Sequence, residues 1–134
     1  MTIAHFQVYG GATAPSAARE LLVETIGTSV EGELVDRARL LVSELVTNAV
    51  IHGGAGPDDP ITVIASLEED GVRTEIRHRG PQFTPPVEEP DLDSPGGLGL
   101  FLVEQIADEW GIDESDEITV WFRLAGAAVQ AQAA

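Results

Sequence analysis

The chain has 134 residues, the length of one ordinary domain, since compact domains cluster near ~100–150 residues. It carries 23 Asp and Glu against 7 basic residues, all Arg, for a formal charge of −16. Such a field repels phosphate backbones and anionic lipid, so direct nucleic-acid and membrane binding are disfavoured, and basic protein surfaces or metal-neutralised ligands are favoured. With no Lys and no Cys, a P-loop lysine, a Schiff base, disulfides and thiolate chemistry are excluded, and the composition fits a reducing compartment. At 43% hydrophobic and 22% charged residues the chain can still build an apolar core. The start, Met1 to Phe6, lacks a basic region followed by an apolar run, and no stretch of eighteen apolar residues occurs, so the expectation is an unexported cytoplasmic protein.

Ile3 to Tyr9 alternates loosely and ends at Gly10-Gly11, which predicts a short strand and a turn. Thr13-Ala14-Pro15-Ser16 starts a helix running to about Ile26, with Pro15 in the first turn where its missing N–H is harmless. After the break at Gly27 to Gly32, a longer helix spans about Glu33 to His52. Its Leu34, Ala38, Leu41, Leu45 and Ala49, widened by Val42, Val46 and Val50, form a broad apolar face. Gly53-Gly54 stops it. Ile61 to Leu67 and Val72 to His78 alternate around Glu68 to Gly71 as a hairpin. Arg79 to Gly97 is a long loop rich in Pro, Gly and acids, of a length often found in lids and binding loops. A third helix, about Leu98 to Glu109, precedes a short strand Trp110 to Asp113 and a longer one, Glu117 to Leu124, in which Ile118, Val120 and Phe122 alternate. The domain is expected over residues 1–124, with residues 125–134 an Ala/Gln-rich tail that frays. Helices and strands in segregated blocks predict an α+β two-layer sandwich, with three helices over one face of a mixed, mostly antiparallel sheet.

Three elements carry polar groups of interest. Glu44, Asn48 and His52 fall at i, i+4 and i+8 of the second helix, so they project from one side. A solvated helix face would look the same, but Asn is a mediocre helix former, and a buried or ligand-facing task explains Asn48 better than propensity does. Capping of the helix end accounts for His52 as well as a ligand role does. Ser94-Pro95-Gly96-Gly97-Leu98-Gly99-Leu100 runs glycines straight into a helix, which is either a flexible turn or a backbone cradle for an anion. Arg77-His78-Arg79-Gly80 ends a strand beside the long loop, as a solvated strand end or as a pocket wall.

Taken together, these elements resemble the GHKL or Bergerat-fold ATPases, and within them the small anti-sigma-factor serine-kinase branch. Leu41-Val42-Ser43-Glu44-Leu45-Val46-Thr47-Asn48-Ala49-Val50-Ile51-His52-Gly53 is similar to the family's N box. Gly97-Leu98-Gly99-Leu100 with Val103 is similar to its second glycine box, and Thr119-Val120-Trp121-Phe122 to its last core strand. The resemblance spans roughly Ala14 to Leu124. It implies that the Asn48 side-chain oxygen binds a Mg²⁺ that bridges ATP phosphates, and that Glu44 is the general base. Backbone around Gly97, Leu98, Gly99 and Leu100 would hold phosphates, Thr119 would help hold the adenine edge with His78 and Gly80 nearby, and Pro85 to Pro95 would be the lid. The implied partners are a sigma factor and an anti-anti-sigma protein of the STAS type, with homodimerisation as a family trait. An alternative is a degenerate, non-catalytic module that acts by sequestration alone with weak or altered nucleotide binding.

One departure stands out. Where the family has an Asp that accepts from the adenine 6-amino group in an Asp-x-Gly-x-Gly box, this chain reads His78-Arg79-Gly80-Pro81-Gln82. A neutral imidazole accepts through one nitrogen, in one tautomer, and as a donor it suits the 6-oxo group of guanine. No Arg or Lys lies between Gly80 and Phe122, so a polyphosphate there depends on Mg²⁺ and backbone N–H groups. The acids Glu88, Glu89, Asp91, Asp93, Asp113, Glu114, Asp116 and Glu117 form the surface expected to meet a basic partner. Restoring the acid in His78→Asp is expected to tighten ATP binding, measured by isothermal titration; unchanged or weaker affinity counts against His78 at the adenine edge.

Overall fold

A computed structural model describes residues 1–79 and 99–126. The expected loop from 80 to 97, with Gly80, Gly97, the lid and Glu88 to Asp93, lies outside the described residues, as do Leu98 and the tail from 127. The elements run β1 (Thr2–Tyr9), α1 (Ala14–Ile26), α2 (Gly32–Ile51), β2 (Pro60–Glu68), β3 (Gly71–His78), α3 (Gly99–Ile106), β4 (Glu109–Asp113) and β5 (Ile118–Ala125). The strands form one sheet in the order β1-β2-β3-β5-β4. The helices stack on one face, giving the expected α+β two-layer sandwich. The expected mostly antiparallel sheet is antiparallel at every pairing among the described residues. Strand β5 returns past α3 and β4 to insert between β3 and β4, opposed to both neighbours.

The two faces of the sheet follow the period-two side-chain alternation. Ala4 and Val8, Ile61, Val63 and Ala65, Val72 and Ile76, and Val120, Phe122 and Leu124 are buried against the helices. The opposite face carries Arg73, Glu75, Arg77, Thr119, Trp121 and Arg123. There the Arg73 guanidinium lies 4.1 Å from the Trp121 ring centroid, and Glu75 accepts from Arg73 (3.3 Å) and Arg77 (2.5 Å). Arg123 reaches Glu68 at 2.9 Å, Asp70, and Glu109 at 3.9 Å, tying β5 to the β2–β3 hairpin and to β4.

Helix α2 is the central rod, because its apolar face is wide enough to meet both the sheet and a neighbouring helix. Leu34, Ala38, Leu41, Val42, Leu45, Val46 and Ala49 are all buried, against α1 on one side and α3 on the other. At its C-terminus the Asn48 carbonyl accepts from His52 (2.8 Å) and Gly53 (3.0 Å), and Gly54 turns the chain away at φ 72°, a conformation open to glycine. Helix α3 stops three residues before the predicted Glu109. The Asp108 N–H donates to the Arg123 carbonyl (2.9 Å) and its carboxylate accepts from the Ala125 N–H (2.7 Å), which draws the chain into the sheet edge and makes Glu109 the first residue of β4. The last strand likewise outruns the predicted end at Leu124. Gly126 donates to the Asp70 carbonyl at 3.0 Å, and a Cβ on it would meet Leu34 Cδ1 at 2.6 Å.

Thr74 sits in mid-sheet between Ala65 and Phe122, fully buried, and its hydroxyl has no hydrogen-bond partner. An unsatisfied buried hydroxyl costs about 1–3 kcal/mol, and valine matches its shape without that cost. Thr74→Val is therefore expected to stabilise the fold by roughly 1 kcal/mol in urea denaturation followed by tryptophan fluorescence; a loss of stability would show that the hydroxyl is satisfied.

Candidate functional site

The C-terminal half of α2 and the adjoining ends of β3 and β5 bring together most of the described polar groups singled out in the sequence. Asn48 is 3% exposed, so it is enclosed and not on a solvated helix face. Its Oδ1 is buried without a hydrogen-bond partner among the described residues. Mid-helix asparagine is weakly favoured to begin with, and leaving its carbonyl oxygen unmatched adds about 1–3 kcal/mol of desolvation cost. An oxygen kept in that condition is suited to a ligand that arrives later. A hard cation such as Mg²⁺ takes oxygen donors of this kind and keeps waters and phosphate oxygens in the rest of its shell. Among the described residues no group of three or more His, Cys, Asp or Glu could hold a metal by itself, so a cation here would depend on Asn48 and on its own substrate or water ligands.

Glu44 lies one turn before Asn48 on the same side of α2 and is half-buried. Burial holds its carboxyl above the ordinary carboxylate range, which brings it nearer the proton affinity a general base needs at neutral pH. Its neighbour Ser43 is buried and accepts from Arg19 of α1 at 3.0 Å, while Thr47 Oγ1 donates to the Ser43 carbonyl at 2.8 Å. These bonds pin the turn that carries Glu44 against α1.

His78, the last residue of β3, is 2% exposed and faces the helices. Its Nδ1 lies 3.2 Å from the Arg79 carbonyl oxygen. Burial lowers its pKa, against the opposing pull of the Arg79 carbonyl and of the Glu117 and Asp59 charges, so the ring is neutral near pH 7. Gly53 makes room for it, since a Cβ at Gly53 would lie 2.5 Å from His78 Cε1 and 2.7 Å from the Ala49 carbonyl oxygen. Glu44 and Asn48 along α2, Gly53 just past its end and His78 opposite that end thus form a packed arrangement.

Thr119 is not part of it. It pairs with Arg77 and shares the outer face with Trp121 and Arg123, across the sheet from Asn48 and His78. The β5 residue on the site's face is Ile118, 2% exposed and the Cα partner of His78. The alternation of Ile118, Val120 and Phe122 carries that signal in the sequence. His52 caps α2 with its side chain exposed and does not join the site. Leu100 is buried in α3, which packs on α2, and Gly99 opens that helix. Gly80, Gly97 and Leu98 lie outside the described residues.

Residues 12–124 match the family model described as the histidine kinase-like ATPase domain. The chain belongs to this family. Among its curated relatives, the serine-protein kinase RsbW of Listeria monocytogenes is 32% identical over 58% of this chain and 57% of its own length. The anti-sigma F factor of Bacillus velezensis is 33% identical over 64% of each chain, and the RsbW of Staphylococcus aureus 29% identical over 64% of this chain and 62% of its own. The chain thus spans about three-fifths of the length of these relatives. Among the described residues no helix is long and apolar enough to cross a membrane.

For the kinase-like ATPase domain, the raised Glu44 pKa has a thermodynamic sign. A carboxyl whose folded pKa exceeds its unfolded value stabilises the fold only while protonated, and that contribution is lost as pH rises through the folded pKa. Glu44→Gln is therefore expected to raise the melting temperature by ~1–3 °C at neutral pH, with the gain vanishing below the ordinary carboxylate range. Equal melting temperatures at pH 7.5 would show that the carboxylate is not desolvated.

Proposed function

We propose that this chain is a Mg·ATP-dependent protein serine/threonine kinase of the anti-sigma type, with residues 1–124 as its ATPase-like domain. The observation that carries the reading is Asn48: a buried amide oxygen without a partner, one turn from a carboxyl whose proton affinity is raised by burial. A relative named as a serine-protein kinase and another named as an anti-sigma factor support the same class. In this reading the chain works in the cytoplasm, sequesters a sigma factor and phosphorylates a serine on a STAS-type antagonist.

Glu44 accepts the proton of the serine hydroxyl as its oxygen attacks the γ-phosphorus and ADP leaves. Asn48 offers its oxygen to Mg²⁺, which when bound neutralises charge on the phosphates. Backbone N–H groups at the start of α3, around Gly99 and Leu100, receive phosphate oxygens at the positive end of the helix. The Glu44 side chain keeps its approach because Ser43 is held by Arg19 and cannot swing its turn away. A second reading, a sequestering module with little catalysis, draws support from His78, which presents a neutral ring where the family has a carboxylate.

Isothermal titration with Mg·ATP separates the two. Saturable, Mg²⁺-dependent binding is expected in the wild type and loss of about tenfold or more in Asn48→Ala. Glu44→Gln is expected to keep that binding while phosphoryl transfer to a serine-bearing partner falls ~10²–10⁴-fold. No heat with ATP at millimolar concentration sinks the kinase reading.

A further inference from the structure

Besides its buried face, α2 carries a second row of side chains. Leu40, Glu44, Thr47 and Ile51 fall at i, i+4, i+7 and i+11, so they line one side of the helix. The two ends of the row, Leu40 at 40% and Ile51 at 44% exposure, are the large apolar side chains that α2 leaves in solvent. Glu44, between them, is half-buried. Thr47 directs its hydroxyl proton to the Ser43 carbonyl at 2.8 Å, so it brings no free donor to the row. Glu44 is also the only charged residue from Leu40 to Ile51. The ion pairs of the helix, Glu33 with Arg37 at 2.5 Å and Asp36 with Arg39 at 3.5 Å, lie on the N-terminal side of Leu40.

A lone aliphatic side chain on a surface needs no explanation. Here two of them bracket the carboxyl that the reading above makes the base. Asn48, on the other flank of Glu44, is enclosed, so an acceptor hydroxyl reaches Glu44 over the row. A chain crossing α2 at a right angle would leave both aliphatic groups in water, whereas one lying along the helix covers them. Leu40 is about 6 Å from Glu44 along the axis, and Ile51 about 10 Å the other way. In an extended chain, side chains two and four residues from a given position share its face, at spans of about 7 Å and about 13 Å. The nearer span matches Leu40, and the farther comes within a side chain's length of Ile51.

We propose that Leu40 and Ile51 select the acceptor. An extended segment of the protein substrate lies along α2 with a serine or threonine hydroxyl at Glu44, one large apolar residue two positions away over Leu40, and another four positions away on the opposite side over Ile51. This rests on the kinase reading above and narrows it to a class of substrate. The hydroxyl proton passes to Glu44 as the oxygen attacks the γ-phosphorus and ADP departs, so the two aliphatic groups take no part in the bond changes. Their contribution is to seat the acceptor. Each apolar pair that leaves water holds the segment in the register that sets the hydroxyl against the carboxyl. Small or charged residues at those two positions forgo that burial, and a carboxylate there also meets the charge of Glu44.

The test is phosphoryl transfer from radiolabelled Mg·ATP by the full chain to serine-centred peptides in which each flanking position is varied in turn. Leu, Ile, Val, Met or Phe is expected to be favoured over Ser or Asp by about five- to thirtyfold, two positions from the serine on one side and four on the other. Leu40→Gln is expected to level the first preference alone and Ile51→Gln the second alone. Glutamine suits an exposed helical position, so both variants fold. Level selection in the wild type overturns the proposal, as does a uniform fall over all peptides in both variants with the preferences unmoved. A dimer that either variant dissociates, with selection unchanged, assigns the row to a second copy and also overturns it. If no peptide is labelled while calorimetry shows Mg·ATP bound, the acceptor assignment falls and the nucleotide-binding reading stands. If Mg·ATP does not bind, both fall.

Discussion

Enclosing an amide oxygen without a partner is a cost the fold of this chain carries at Asn48, and much of the architecture arranges for that oxygen to stay where it is. The residue lies in the interior of a helix whose buried side chains are packed against α1, α3 and the sheet, so α2 cannot rotate the amide outward without exposing Leu41, Leu45 and Ala49. About 1–3 kcal/mol left uncompensated at one atom is a substantial share of the stability of a domain this size. The same rigidity fixes Glu44 one turn away and Gly53 at the bend, so the candidate groups share one reference frame. A site distributed over loops would have to pay for that alignment in ordering entropy each time it bound.

Much of this was legible in the residues. The apolar period of α2, the alternation in β2 and β3 and the glycine punctuation mark the elements, because each signal is local and its physical cause lies within a few residues. The string from Leu41 to Gly53 carried the family likeness, and the sandwich followed from the segregation of strands and helices. What escaped depended on partners distant in sequence. The end of α3 is set by bonds from Asp108 to Arg123 and Ala125, which no local propensity encodes. The poor helix propensity of Asn48 already pointed to a buried or ligand-facing task, and the structure encloses it. The antiparallel pairing of β5 with both β3 and β4 follows from where it inserts.

Thr119 is a different kind of miss. Its role came from the likeness of Thr119-Val120-Trp121-Phe122 to the family's last core strand, which the strand's own alternation does not support. Because side chains alternate strictly, Ile118, Val120 and Phe122 in the core leave Thr119 outside. The β5 residue beside His78 on the helix-facing side is consequently the apolar Ile118.

The arrangement of cations on the sheet has a bearing on how this molecule responds to its surroundings. Arg73, Arg77 and Arg123 are all on the face away from the helices, each engaged by acids or by Trp121, and between Gly80 and Phe122 the chain has no cation at all. A chain with a formal charge of −16 therefore meets a polyanion with few positive groups on the near side of the sheet. In most nucleotide sites lined by lysine and arginine, dissolved salt screens an attraction and weakens binding. Here the long-range force to be screened is a repulsion, which decays over about 8 Å at physiological ionic strength. Added monovalent salt would leave affinity for a nucleotide intact or strengthen it.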